Sequence, residues 1–220
     1  MRIRLLIFLL AFSAQLIAQE SNPAYWKEIQ VFKKQDSITF PGTGRILFVG
    51  SSSLTLWKDV QDYFPQYPLI NRGFGGSTLL DVTRYEADII FPYKPKQIVI
   101  YCGENDIAND SMVTGQVVFE RFRKLYGDIR ANLGNIPLIY VSMKPSPSRW
   151  HMREKQQEGN RLIQKFLQRK KRNAVFIDVW PGMLGADGKP REELYIADRL
   201  HMNAKGYVIW QKLIEPHLLK

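Results

Sequence analysis

Five short apolar runs recur along the chain, separated by amphipathic stretches. They are Ile46–Val49, Leu69–Asn71, Gln97–Tyr101, Leu138–Ser142 and Val175–Val179, and they are rich in β-branched or aromatic side chains. Runs this short, with no strict polar alternation, predict strands covered on both faces, as in a parallel sheet. Between them Leu79–Ile90, Gln116–Leu133 and Met152–Arg169 carry apolar residues at helical spacing, and Ala204–Leu213 predicts a final helix. Ahead of the first strand, Asn22 to Gln35 reads as a charged helix that the cluster Pro41-Gly42-Thr43-Gly44 separates from the sheet. The alternation predicts an α/β domain, a parallel sheet with helices on both faces, undivided by any repeat or linker.

The N-terminal stretch MRIRLLIFLLAFSAQLIAQE follows a different pattern: Arg2 and Arg4, then an apolar run, then the small residue Ala18 before polar sequence resumes. This is the pattern of a secretory signal peptide, expected over residues 1–19, with residues 20–220 as the mature domain, exported to the periplasm or secreted. No later segment is long and apolar enough to predict a membrane span. A chain of 220 residues with 45% hydrophobic content can bury one full core. The lone Cys102 ends an apolar run, so no internal disulfide is available and a buried, inert thiol is expected. Lys and Arg number 31 against 21 Asp and Glu. The densest basic run, Arg169-Lys170-Lys171-Arg172, falls at a predicted helix end, where cations suit the helix dipole. No aromatic-interleaved basic stripe accompanies it, so no nucleic-acid partner is expected.

In an open parallel sheet, ligands bind beyond the carboxyl ends of the strands. The first strand is followed by Gly50-Ser51-Ser52-Ser53, the second by Gly73-Phe74-Gly75-Gly76-Ser77 and the third by Gly103-Glu104-Asn105-Asp106; Asp198-Arg199-Leu200-His201 precedes the last helix. Each block alone reads as a cap or a turn. Together they supply a hydroxyl nucleophile, backbone open to close approach, a neutral side-chain donor, and a base with an orienting carboxylate. The glycines lack the G-x-G-x-x-G spacing of a dinucleotide site, and Leu54 stands where a nucleophile elbow needs its second glycine. His151, His217 and Cys102 form no metal-ligand spacing, and neither a metal nor another cofactor is expected.

In these four blocks the sequence resembles the SGNH hydrolases, also called the GDSL esterase/lipase family, over nearly the whole mature chain. The resemblance implies a three-layer α/β/α sandwich on a flavodoxin-like five-stranded parallel sheet. It implies Ser52 as nucleophile, His201 as base and Asp198 as its partner, with an oxyanion hole built from the Ser52 and Gly76 backbone and the Asn105 amide. The chain departs from the family at Ser51, where Asp is usual. The loop Lys144-Pro145-Ser146-Pro147-Ser148 leads to Arg149, Trp150 and His151, which are candidates for the wall of the substrate cleft. The activity implied is ester hydrolysis, and the preferred substrates are short-chain carboxylic esters, O-acetyl groups on carbohydrate among them. The alternatives are a lysophospholipase or platelet-activating-factor-acetylhydrolase-like lipid esterase, and a glycan-binding protein on a weakened hydrolase scaffold.

Overall fold

The computed structural model describes residues 22–169 and 173–220; the expected signal peptide and part of the basic run after Arg169 lie outside them. In chain order the elements are α1 (Trp26–Ile38), β1 (Ile46–Gly50), α2 (Ser52–Thr55), α3 (Val60–Tyr63), β2 (Leu69–Gly73), α4 (Leu79–Arg84), α5 (Glu86–Ile89), β3 (Gln97–Tyr101), α6 (Glu104–Asn109), α7 (Gly115–Leu133), β4 (Leu138–Val141), α8 (Arg153–Arg169), β5 (Ala174–Ile177), α9 (Trp180–Met183) and α10 (Ala204–Ile214). The five strands form one parallel sheet in the order β2-β1-β3-β4-β5. β1 therefore lies between β2 and β3, at the place where strand order reverses and a crevice opens. Gly50 pairs in register with Gly73 on one side and Tyr101 on the other, so these three strands end level. The blocks that follow them meet at one end of the sheet.

Successive strand residues face opposite sides, and each side carries a full core. Leu47, Val49, Ile98 and Ile100 pack with Ile29, Val82, Phe122, Ile129 and Ile163 from α1, α4, α7 and α8. Ile46, Phe48, Val99 and Tyr101 pack on the other face with Trp57, Phe64, Tyr207, Trp210 and Ile214. Burying each such large apolar side chain contributes about 1.5–3 kcal/mol, which makes the sheet a stiff platform for its loops. The helix expected over Leu79–Ile90 is two, α4 and α5, broken at Tyr85. The break lets the Tyr85 ring meet Phe74 edge-on while its hydroxyl donates to the Ala24 carbonyl at 2.7 Å. The first helix begins at Trp26 rather than Asn22, after Tyr25 adopts a left-handed conformation (φ 65°).

Candidate active site

Gly50 ends β1 with φ 144°, and a Cβ there would lie 1.9 Å from the Tyr101 carbonyl oxygen. Only glycine fits, and the chain turns sharply out of the sheet into the three serines. Ser51 is buried and acts through its backbone: its N–H donates to the Tyr101 carbonyl at 3.0 Å, and its hydroxyl caps nothing. The loop thus holds its shape by backbone bonding where the family usually has Asp. Ser53 is buried, and its carbonyl accepts from the Tyr207 hydroxyl at 2.9 Å. Ser52 is the serine that lines the cavity above the sheet.

The Asp198–His201 turn reaches that serine from the far end of the chain. His201 Nε2 lies 2.9 Å from Ser52 Oγ, and His201 Nδ1 lies 2.5 Å from Asp198 Oδ2. The other carboxylate oxygen, Oδ1, accepts the Leu200 and His201 N–H groups, each at 2.9 Å. Arg199 takes a left-handed conformation (φ 58°) to close this turn, and its guanidinium is tied to Glu192. Its carbonyl accepts both the N–H and the hydroxyl of Ser148, so the two loops are joined. Partial burial works to raise the Asp198 carboxyl, but the two N–H donors and the imidazole outweigh it and hold it at about 2. A carboxylate facing Nδ1 requires a proton there, which leaves Nε2 of a neutral ring free to accept from the serine hydroxyl.

Gly76 has φ 82°, and a Cβ on it would sit 3.1 Å from the Tyr25 hydroxyl. That hydroxyl donates to the Gly76 carbonyl at 2.8 Å, and the Tyr25 ring packs edge-on against Phe74. The backbone N–H groups of Ser52 and Gly76 donate to no protein acceptor among the described residues. Asn105 Nδ2 donates to the Ser77 carbonyl at 3.0 Å, and its Oδ1 accepts from Arg149 Nη1 at 3.0 Å. A carbonyl can only accept and a guanidinium can only donate, so the amide orientation is determined, and Nδ2 keeps a second hydrogen. Ser52, Gly76, Asn105, Arg149 and His201 line one cavity of about 350 Å³, whose remaining walls are Thr55, Leu56, Gly75 and Leu200.

Two buried carboxylates lie beneath it. Asp106 accepts the Leu79 N–H at 2.9 Å and pairs with Arg121 at 2.8 Å. Glu104 takes Lys144 at 3.0 Å, Arg149 at 3.1 Å and the Tyr101 hydroxyl at 2.5 Å. Burial works to raise the Glu104 carboxyl, but these three partners prevail and lower it, so it is ionised. Cys102 is buried with its sulfur 3.5 Å from the Ser77 carbonyl oxygen, and burial pushes the thiol well up, away from the reactive thiolate.

Ser52, His201, Asp198, Gly76, Asn105 and Arg149 converge; two of the cleft candidates do not. The single turn Trp150–Met152 carries Trp150 onto the Trp180 ring, centroids 5.8 Å apart, and into a neighbouring hollow with Pro190 and Arg199. It turns His151 outward beside Ile107 and Lys155. Trp150 and His151 therefore do not wall the serine cavity. Leu56 and Leu200, which do, stand beside motif residues and carry no pattern of their own. Tyr25 gave no signal, because a tyrosine 51 residues before its partner Gly76 has no motif to join. Among the described residues no group of three His, Cys, Asp or Glu could hold a metal ion.

This sheet, with a serine, imidazole and carboxylate in file beside amide donors at its strand-order reversal, is that of an esterase or acylhydrolase. The chain belongs to the GDSL-like lipase/acylhydrolase family, whose sequence profile matches residues 36–209. Among solved structures it is similar to one described as an acylhydrolase from Bacteroides fragilis, with 23% identity, 87% of this chain and 96% of that one covered, and a TM-score of 0.74. A protein described as a platelet activating factor from Streptococcus pneumonia is 20% identical, with 88% and 92% covered and a TM-score of 0.76. An acetyl-xylooligosaccharide esterase from Geobacillus is 15% identical, with 81% and 96% covered and a TM-score of 0.62. At these identities the likeness is one of fold. Among curated proteins, none matches the chain significantly.

Proposed function

We propose that the chain is an exported serine esterase hydrolysing short-chain carboxylic esters, O-acetyl groups on carbohydrate among them. The observation that carries this reading is the unbroken file from Ser52 Oγ to His201 Nε2 at 2.9 Å and from His201 Nδ1 to Asp198 at 2.5 Å. Ser52 Oγ attacks the ester carbonyl while His201 takes its proton, and ionised Asp198 stabilises the imidazolium. The carbonyl oxygen, now an anion, meets the N–H groups of Ser52 and Gly76 and the second hydrogen of Asn105 Nδ2. Collapse expels the alcohol with the proton from His201. Water then repeats the sequence on the acyl-enzyme and releases the acid.

The N-terminal pattern over residues 1–19 supports export. For the substrate, a cavity of about 350 Å³ favours a small acyl group. At Thr55 and Gly75 it adjoins a groove of about 480 Å³ along α1, which gives room for a bulkier alcohol such as a sugar. The Geobacillus neighbour's description as an acetyl-xylooligosaccharide esterase agrees with this choice. A second reading, a lipid-directed esterase, is favoured by Val31, Phe32 and Phe74 in that same groove. The intact serine–imidazole–carboxylate file argues against a purely glycan-binding role.

The test uses the mature chain with an activated aryl acetate. Turnover is expected to be lost in Ser52→Ala, and an organophosphonate is expected to label Ser52 and neither Ser51 nor Ser53 by peptide mass mapping. An adduct on a neighbouring serine, or full turnover in the alanine variant, rejects the mechanism.

A further inference from the structure

Arg149 lines the serine cavity and, among the described residues, makes no hydrogen bond or ion pair with the serine, the imidazole or the aspartate. One nitrogen, Nη1, serves two acceptors, Asn105 Oδ1 at 3.0 Å and Glu104 Oε1 at 3.1 Å. The other oxygen of Glu104 is taken by Lys144 at 3.0 Å and by the Tyr101 hydroxyl at 2.5 Å. Glu104 and Lys144 are almost wholly buried, their side chains 4% and 2% exposed, while Arg149 keeps 19% exposure at the cavity wall. The cluster sets Lys144 and Arg149 against one carboxylate. Burial works against the Lys144 ammonium while Glu104 supports it, and Arg149 is the member that faces the cavity.

Two consequences reach Asn105. The first is orientational. A primary amide can rotate by half a turn and exchange its oxygen and nitrogen, which would aim a lone pair at the forming oxyanion. With Arg149 donating to Oδ1 and the Ser77 carbonyl accepting from Nδ2, the reversed amide would oppose donor to donor and acceptor to acceptor. The second is electronic. A guanidinium on Oδ1 draws density from the amide and makes the remaining Nδ2 hydrogen a stronger donor, in a wall shielded from solvent. Chain geometry delivers the arginine: Ser148 is fastened to the Arg199 carbonyl by its N–H at 3.1 Å and its hydroxyl at 3.0 Å, and the Tyr195 hydroxyl bonds the Pro145 carbonyl. The loop that carries Arg149 is thereby bolted to the loop that carries His201.

We propose that Arg149 is a positioning residue of the oxyanion hole, which locks and polarises the Asn105 amide, and that the buried Glu104–Lys144 pair is the mount that holds its guanidinium in place. This rests on the serine esterase reading above. Because Arg149 acts through Asn105, its contribution belongs to the transition state and vanishes when Asn105 is gone.

The experiment is a double-mutant cycle on a neutral acetyl ester with Arg149→Met, Asn105→Ala and the double variant, measuring kcat, KM and the thermal unfolding midpoint of each. Arg149→Met keeps an unbranched stem and leaves Glu104 paired with Lys144. The expected result is a 10- to 100-fold fall in kcat for Arg149→Met with KM changed less than about twofold, and less than about twofold further loss when it is added to Asn105→Ala. Arg149→Lys, which restores a cation but a poorer fit to two acceptors, is expected between wild type and Met, and it serves in the cycle if the Met variant does not fold. The same fall in kcat in both backgrounds overturns the proposal, since an arginine that merely supports the fold has no reason to need Asn105. A rise in KM alone overturns it in favour of a direct substrate contact. If Asn105→Ala itself leaves kcat unchanged, the oxyanion hole of the parent reading falls and takes this proposal with it, whereas a large Asn105 effect with an independent Arg149 effect sinks the Arg149 assignment alone.

Discussion

At the scale of single residues, the proposed mechanism gives the turn from Asp198 to His201 its protonation chemistry. A carboxyl held at about 2 has its charged form favoured, so it stays ionised as pH falls until about pH 2. Its charge is therefore constant over the range in which an esterase is assayed. Loss of turnover on acidification is therefore not assigned to Asp198; because a base must be unprotonated to take the serine proton, the proposed mechanism expects kcat to rise with pH. A pH–rate profile that is flat from pH 4 to neutrality, with chemistry limiting, contradicts a basic role for His201. Asp198→Asn keeps the shape of the side chain but can present an amide N–H to Nδ1, which favours the wrong tautomer. Turnover is expected to fall roughly 10²- to 10⁴-fold with KM nearly constant, and steady-state kinetics at one pH measures it. Asp198 and His201 were legible in the sequence because three residues and one turn hold them together. Arg149 was legible only as a cleft residue, since nothing in the chain announces that its guanidinium meets Asn105 rather than solvent.

At the scale of elements, α1 and α5 carry consequences that motif spacing does not reveal. Tyr25, just ahead of α1, fastens the Gly76 carbonyl. Tyr25→Phe removes one hydrogen bond of about 0.5–1.5 kcal/mol and leaves the ring on Phe74. Turnover is expected to drop roughly threefold to tenfold, with the unfolding midpoint lowered by about 1–6 °C; an unchanged kcat removes the brace from the proposed mechanism. Glu86 in α5 has one oxygen buried without a hydrogen-bond partner, and burial together with Asp128 of α7 raises its carboxyl to about 7. A raised carboxyl favours the neutral form in the folded state. Stability is thus drained as pH climbs from the unfolded value of 4.5 through 7. Glu86→Gln is expected to raise Tm by about 2–4 °C at pH 8 and to leave it nearly unchanged at pH 4, as differential scanning calorimetry would show; equal shifts at both pH values refute the assignment. The strands and long helices were legible because each repeats a burial period over several residues. The helices α2, α3, α6 and α9, of four to six residues, were not, because one turn is too short to display a period and forms only where tertiary contacts hold it.

At the scale of the molecule, the sheet order and the level ends of β2, β1 and β3 bring residues separated by 149 positions, Ser52 and His201, into hydrogen-bonding distance. The alternation of strands and helices predicted the layers, and the polar blocks meet at one end of the sheet, as their places after the strands led one to expect. What it hid is the groove beside the site, because α1 read as a charged helix and its apolar side is partnered only in three dimensions. The groove bears directly on chain length. Each methylene that finds an apolar wall adds about 0.8 kcal/mol, whereas one left in water adds little. If the small cavity takes the acyl group, kcat/KM across acetyl, butyryl, octanoyl and palmitoyl esters of one alcohol is expected to peak at the short end; a steady climb to palmitoyl transfers the groove to the acyl chain and promotes the lipid-directed reading. The placement of Tyr25 also has a practical bearing on anyone who moves this domain into a fusion or a library of shuffled parts. The family profile starts at residue 36, two residues before α1 ends at Ile38. A segment excised at that boundary would keep Ser52, Asp198 and His201 yet leave Phe74 and Tyr85 uncovered and the Gly76 loop untethered. A portable unit has to start upstream of Ala24, whose carbonyl is itself one of the tethers.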